Sequence, residues 1–260
     1  MRTITAKVGD VLIGGDNPIV VQTMCNTHTS DVEATVAQCV RLRDAGAEII
    51  RITVPGPADV ECVKSIKSRL GELGVTTPIV ADIHFSSRTA IMVAPFVEKV
   101  RINPGNFHKD HQEARRQFAR LIEVCRENGT AIRIGVNHGS LGEYITNLYG
   151  NTSEGHPDMQ RMSATMGVLG EYITNLYGNT SEAMAKAAME WLRMCMDADF
   201  LNVVLSLKSS NTIVMVDAYR KLMSMMKDNG MVFPLHVGVT EAGNGDSGRI
   251  KSCVGISTLL

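Results

Sequence analysis

The sequence predicts an α/β fold, a TIM-type (β/α)8 barrel cut short so that about seven strands are present. Three observations carry that reading. Short β-branched runs alternate with amphipathic helical stretches, the pattern of parallel strands joined by crossover helices. The length of 260 residues suits one barrel, which typically takes about 250. Basic residues also recur toward the ends of successive β-runs, where a barrel gathers its functional groups on one face.

The chain opens with TITAKVGDVLIGGDNP, which reads as a hairpin able to cap the bottom of the barrel. The β-runs follow: PIVVQTM (18–24), AEIIRIT (47–53), PIVADIH (78–84), KVRINP (99–104), AIRIGVN (131–137), FLNVVLSLK (200–208) and FPLHVGVTE (233–241). Among the helical stretches, DVEATVAQCVRLRDAGA stops near Gly46 and HQEARRQFARLIEVCRENG stops at Gly129. SGRIKSCVGISTLL after the seventh run is helix-like. No eighth strand is visible, and seven would leave two unpaired edges. The expectation is one incomplete barrel domain over residues 1–260, a fragment of something longer.

The crossover after the fifth run is far longer than the others, and the cause is a repeat. LGEYITNLYGNTSE occurs at 141–154 and again, letter for letter, at 169–182, 28 residues on. Two copies do not make a solenoid, whose units recur several times. A duplicated insertion at 155–182 in the loop after the fifth strand is expected, mobile and readily cut within 155–168.

Lys and Arg number 26 against 27 Asp and Glu, a net charge of −1. No global field therefore argues for nucleic acid or an anionic membrane as partner. No apolar run approaches the ~20 residues a membrane span needs, and MRTITAKVGDVLIGG lacks the order of a signal peptide. A cytoplasmic protein is expected. Six cysteines (Cys25, Cys39, Cys62, Cys125, Cys195, Cys253) form no CxxC pair and no zinc spacing. They are expected to be reduced core or near-core thiols that hold no metal.

The strand ends carry the chemistry: Arg51, Asp82 with His84, Arg101 with Asn103, Arg133 with Asn137, Lys208, and Thr240 with Glu241. A barrel brings such groups to one rim, so four cations converge although the chain as a whole is near neutral. Guanidinium forks bind oxygen pairs, Lys adds a point charge and Asn donates to ester or hydroxyl oxygens, a set suited to two phosphates. A single strand Arg is as readily a salt-bridge partner as a ligand group. Four together, amid β-branched neighbours, would be costly without an anion to meet them. His84 and Asp82, two residues apart, share a strand face and could orient a hydroxyl or relay a proton. Glu241 is a third candidate for that work. Elsewhere, His138 could reach the rim, His108 and His111 at a charged helix start are expected to be solvated, and His236 is expected to pack in the core. NPGN (103–106) supplies a tight turn, and the Gly-rich EAGNGDSG (241–248) ahead of a helix could offer amides to phosphate.

Taken in order, VQTMCNT, IIRITVPG, VADIHF, VRINPGN, IRIGVNHGSL, LSLKSS and HVGVTEAG resemble the barrel domain of the 4-hydroxy-3-methylbut-2-enyl diphosphate synthases. The wording NHGSL is similar to the longer, three-domain branch of that family. The resemblance implies a reductive enzyme of non-mevalonate isoprenoid biosynthesis that opens 2-C-methyl-D-erythritol 2,4-cyclodiphosphate with two electrons. It implies phosphate binding by Arg51, Arg101, Arg133 and Lys208, and further substrate contacts by Asp82, His84, Asn103, Asn137, Thr240 and Glu241. It also implies a 4Fe-4S cluster held by a separate C-terminal domain absent from this chain, reduced ferredoxin or flavodoxin as electron donor, and a homodimer as one assembly. No CPxC-like run is present, so none of the six cysteines is read as a cluster ligand, and the chain alone is expected to be inactive. Two alternatives stand beside this. A pteroate-synthase-like barrel shares the architecture and a phosphate rim, and pterin diphosphate binding would reveal it. An inactive fragment or binding module would be revealed by loss of fixed tertiary structure.

Overall fold

Alternation along the β-runs sets apolar residues against basic and polar ones, and that decides which way each side chain faces. The structure is a computed structural model describing residues 2–83, 86–138 and 181–260. The chain starts with an antiparallel hairpin, β1 (Thr5–Val8) and β2 (Val11–Gly14). Six parallel strands follow in chain order: β3 (Gln22–Met24), β4 (Ile49–Thr53), β5 (Ile79–Asp82), β6 (Lys99–Ile102), β7 (Ala131–Asn137) and β8 (Val203–Lys208). Sequential neighbours all along a parallel sheet mean crossovers of one hand, the winding of a barrel.

The crossover helices are α1 (Val32–Asp44), α2 (Asp59–Glu72), α3 (Ser87–Val93), α4 (His111–Asn128) and α5 (Ser181–Asp197), with α6 (Thr212–Asp228) and α7 (Gly245–Ser257) after β8. Asp31, Ser86, Asp110 and Asn211 cap α1, α3, α4 and α6, each side chain accepting from an amide of the first turn. Gly129 closes α4 in the left-handed region at φ 67°, where a Cβ would be penalised. The helix stops expected at Gly46 and Gly129 are therefore present.

The outward face of the sheet is the core. Ile50, Ile52, Ala81, Val100, Ile134 and Leu205 are buried against helix residues such as Ile66, Phe118, Leu121, Leu192 and Leu222. Each large side chain so buried contributes about 1.5–3 kcal/mol. A second, small apolar cluster of Val8, Ile49, Val80 and Ala131 joins the hairpin to the first residues of the strands. The hairpin thus plugs the N-terminal end of the barrel, as the sequence suggested.

The expected seventh strand is corrected. Residues 233–241 pair with β8 through a single parallel bridge, Leu205 to Leu235, with Leu205 N donating to Pro234 O at 3.0 Å and His236 N to Leu205 O at 2.8 Å. Pro234 has no N–H to offer, so the ladder does not extend through it. The first β-run also shrinks, from 18–24 to Gln22–Met24. Of the duplicated insertion at 155–182, only Ser181 and Glu182, the start of α5, fall among the described residues; the rest lies outside them.

Candidate functional site

The inward face of the sheet follows from register. Arg51 pairs with Val80 and Val80 with Lys99; one step higher, Thr53, Asp82, Arg101, Arg133 and Val204 form one continuous row. Gly135 and Ser206 pair above that row, and Asn137 and Lys208 above them. Since residues two apart share a face, Lys99, Arg51, Arg101, Arg133 and Lys208 all belong to the interior, with Asp82 as the carboxylate among them. The barrel interior is a cationic shaft between the apolar plug and the C-terminal strand ends.

This sharpens the rim reading and corrects it in part. Arg51, Arg101 and Arg133 are set below the last residues of their strands, whereas Asp82, Asn137 and Lys208 occupy strand ends. Arg101 and Arg133 are 3% and 1% exposed, deep enough that an anion must enter the barrel to meet them.

Asp82 holds two of the cations. Its Oδ1 accepts from Arg101 Nη1 at 3.0 Å, and its Oδ2 lies 3.4 Å from Arg51 Nε. Arg51 also points Nη2 at the Met24 sulfur, 2.8 Å away. With both carboxylate oxygens beside guanidinium groups, Asp82 acts as a charge anchor for Arg51 and Arg101. His84 lies outside the described residues.

Arg101 reaches along the inner face to β7, its Nη2 donating to Gly135 O at 3.3 Å. A Cβ on Gly135 would sit 2.7 Å from Arg101 Nε, so glycine leaves the space that the guanidinium fills. Arg133 has less support: Nη2 donates to Ser206 Oγ at 3.3 Å, while its Nε and Nη1, like Arg101 Nε, are buried without a partner among the described residues. Burial, then Arg51 and Arg101, push Arg133 down to about 9. Lys208 packs over Gly238, where a Cβ would meet its Nζ at 3.3 Å. Burial, then Arg133 and the other two guanidiniums, lower its ammonium to about 7. These costs have one common remedy, an anion with several oxygens.

The remaining candidates divide. Asn103 is buried two residues beyond Arg101, and its Oδ1 accepts from Gly105 N at 3.2 Å, building the NPGN turn as a short 3-10 helix. Thr240 is half-buried and Glu241 exposed at φ 50°. Among the described residues no hydrogen bond or ion pair joins either to the cluster, because the ladder that would carry them inward ends at Leu235. The Gly-rich segment runs into α7 at Gly245, with no side chain capping that end.

A lower layer was missed by looking only at strand ends. Lys99, 1% exposed, donates from Nζ to Gln22 Oε1 at 3.1 Å. His236, expected as a core residue, sits in this layer between Gln22 and Ser206. Period-two spacing back from Arg101 and Met24 would have found Lys99 and Gln22. His111, expected to be solvated, instead places Nε2 3.1 Å from the buried Glu190 Oε1, tying α4 to α5. His108 is exposed as expected.

Of the thiols, Cys25, Cys39, Cys125 and Cys195 are buried, Cys62 is half-buried and Cys253 exposed. Among the described residues no three His, Cys, Asp or Glu side chains converge to hold a metal, whereas an iron–sulfur cluster takes several thiolates at one point. The described residues do not fit such a group. None of their helices is long and apolar enough to cross a membrane.

Known proteins agree with this architecture. The chain is 42% identical to the 4-hydroxy-3-methylbut-2-en-1-yl diphosphate synthase (flavodoxin) of Parabacteroides distasonis, covering 100% of this chain and 41% of that protein. It is 38% identical to the chloroplastic, ferredoxin-dependent synthase of Arabidopsis thaliana, covering 100% of this chain and 34% of that one. The chain therefore spans about two fifths or less of these relatives' length. Among solved structures, 3-dehydroquinate dehydratase from Geobacillus kaustophilus superposes with TM-score 0.54 at 11% identity, over 98% of this chain and 84% of that one, a likeness of fold alone. The family described as the GcpE TIM-barrel domain matches residues 3–260, so the α/β barrel reading holds, the pteroate-synthase-like alternative falls away, and the chain belongs to the GcpE TIM-barrel family.

Proposed function

We propose that this chain is the substrate-holding barrel of a cytoplasmic enzyme that reductively opens 2-C-methyl-D-erythritol 2,4-cyclodiphosphate to 4-hydroxy-3-methylbut-2-enyl diphosphate. The observation that carries the proposal is Arg133, buried at the centre of the cationic shaft with no partner for Nε and Nη1 among the described residues. A diphosphate supplies the several oxygens that Arg133, Arg101 and Arg51 would fork onto, with Lys208 as a point charge at the mouth.

Opening the cyclic diphosphate frees a phosphate oxygen and adds negative charge. Cations fixed in advance by Asp82, Gly135 and Ser206 favour that charge more strongly as it develops, which is how a preorganised site lowers a barrier. Asn103 and Asn137 stand nearer the C-terminal strand ends, where they would face the carbon skeleton. Thr240, Glu241 and His84 are assigned to the same mouth by resemblance alone. The electrons come from outside this chain: the relatives' names specify flavodoxin or ferredoxin, and we place the 4Fe-4S cluster on the part of the whole protein that this chain does not span.

Isothermal calorimetry of the chain with the cyclodiphosphate tests the reading. Binding that weakens as salt is raised supports it. Absence of heat and of thermal protection at millimolar ligand would contradict it.

A further inference from the structure

Below the cationic cluster, five side chains from five segments form one chain of hydrogen bonds. Lys99 Nζ lies 3.1 Å from Gln22 Oε1, Gln22 Nε2 3.4 Å from His236 Nε2, His236 Nδ1 3.2 Å from Ser206 Oγ, and Ser206 Oγ 3.3 Å from Arg133 Nη2. The chain begins on the barrel floor and ends on the guanidinium that the proposed diphosphate site needs most.

We propose that Lys99 is a positioning residue for Arg133, acting through Gln22, His236 and Ser206 by fixing the tautomer of the His236 ring. The direction of each bond follows from donor counting. Below about pH 7 Lys99 is an ammonium, which only donates, so it turns the Gln22 oxygen toward itself and the amide NH2 toward His236. His236 Nε2 must then accept, which leaves the ring proton on Nδ1, aimed at Ser206 Oγ. That oxygen also accepts from Arg133, so both of its lone pairs are used and its own hydrogen turns elsewhere.

The Tyr219 phenol braces the same histidine from its backbone side, its oxygen accepting from Leu207 N at 2.9 Å and its proton going to His236 O at 2.6 Å. Along the four bonds of the relay each donor then meets an acceptor. Burial first, and then Arg133, Lys208, Lys99 and Arg51, hold the His236 ring far below its ordinary value, consistent with a ring kept neutral. The functional part of the inference rests on the diphosphate reading above; the tautomer does not.

Nitrogen-15 spectra of histidine-labelled chain, with the His236 signals assigned by a His236→Asn variant, test this directly. At pH 6, where Lys99 is an ammonium, the parent should show a single neutral tautomer with its proton on Nδ1. Lys99→Met should lose that single signature, because the Gln22 amide is free to turn over, and Lys99→Arg, which again only donates, should restore it. Gln22→Glu, a second variant in case Lys99→Met fails to fold, should put a proton on Nε2, since a carboxylate can only accept. In parallel, inorganic pyrophosphate should bind Lys99→Met about tenfold more weakly than the parent, with recovery in Lys99→Arg. A folded Lys99→Met or Gln22→Glu chain whose His236 stays entirely in the Nδ1–H form would overturn the relay. A parent that fails to bind pyrophosphate contradicts the diphosphate site instead, and the nitrogen spectra alone then decide the relay.

Discussion

Arg101 lies against Gly135, close enough that a Cβ on the glycine would stand 2.7 Å from Arg101 Nε, and the two are further joined by the 3.3 Å bond from Nη2 to the glycine carbonyl. Gly135→Ala should force the guanidinium off Asp82. Overpacking of this kind costs about 1–3 kcal/mol, so the variant should remain folded in urea titrations. Its pyrophosphate affinity should fall at least tenfold.

Asp82 carries the opposite weight. Removing the carboxylate from a buried pair leaves a charge uncompensated and costs about 3–5 kcal/mol. Asp82→Asn should therefore melt well below the parent in ligand-free buffer. Added pyrophosphate should raise the variant's Tm by more than it raises the parent's, because the anion takes over neutralisation of Arg51 and Arg101. An equal rise in both would show that Asp82 does not balance those cations.

Much of this was legible in sequence, and the gaps have physical causes. The alternation in AIRIGVN gave β7 at its full length and put Arg133 on the inner face. Lys99 was passed over because it is the first residue of its strand, yet the stagger between barrel strands brings it level with Val80, the neighbour of Arg51. Gln22, Ser206 and His236 are neutral or lone residues whose roles come from partners on other strands, which no local pattern reveals. Thr240 and Glu241 were read as strand continuation, and the ladder stops short of them at Leu235. His111 looked solvated because Glu190, its partner, is far away in sequence.

Two lysines make the site sensitive to pH. Burial, followed by neighbouring guanidiniums, lowers Lys99 and Lys208 to about 7 from an ordinary 10.5. The unfolded chain then holds protons that the folded chain has released between pH 7 and 10.5, so this contribution makes ligand-free stability rise with pH across that window. Pyrophosphate favours the charged lysines and should draw in protons on binding near pH 8. Calorimetry in buffers of different ionisation enthalpy should show that uptake, and Lys208→Met should show less of it than the parent.

The His111–Glu190 pair makes a separate prediction about stability. Burial raises the Glu190 carboxyl, and His111 opposes that shift. His111→Ala should cost about 1–3 kcal/mol in denaturant titrations by leaving the buried Glu190 carboxyl without its neighbour. The double variant His111→Leu with Glu190→Leu should recover most of that loss, since a well-packed apolar pair can replace a buried polar one.

The account depends most on Arg133. The decisive measurement is the affinity of the chain for 2-C-methyl-D-erythritol 2,4-cyclodiphosphate before and after Arg133→Met, with the fold of both checked by near-UV dichroism. The structure predicts at least a hundredfold loss with the fold retained and ligand-free stability unchanged or improved, because a buried charge with no carboxylate partner among the described residues has been removed. A folded variant that binds as tightly as the parent would contradict the barrel interior as the diphosphate site.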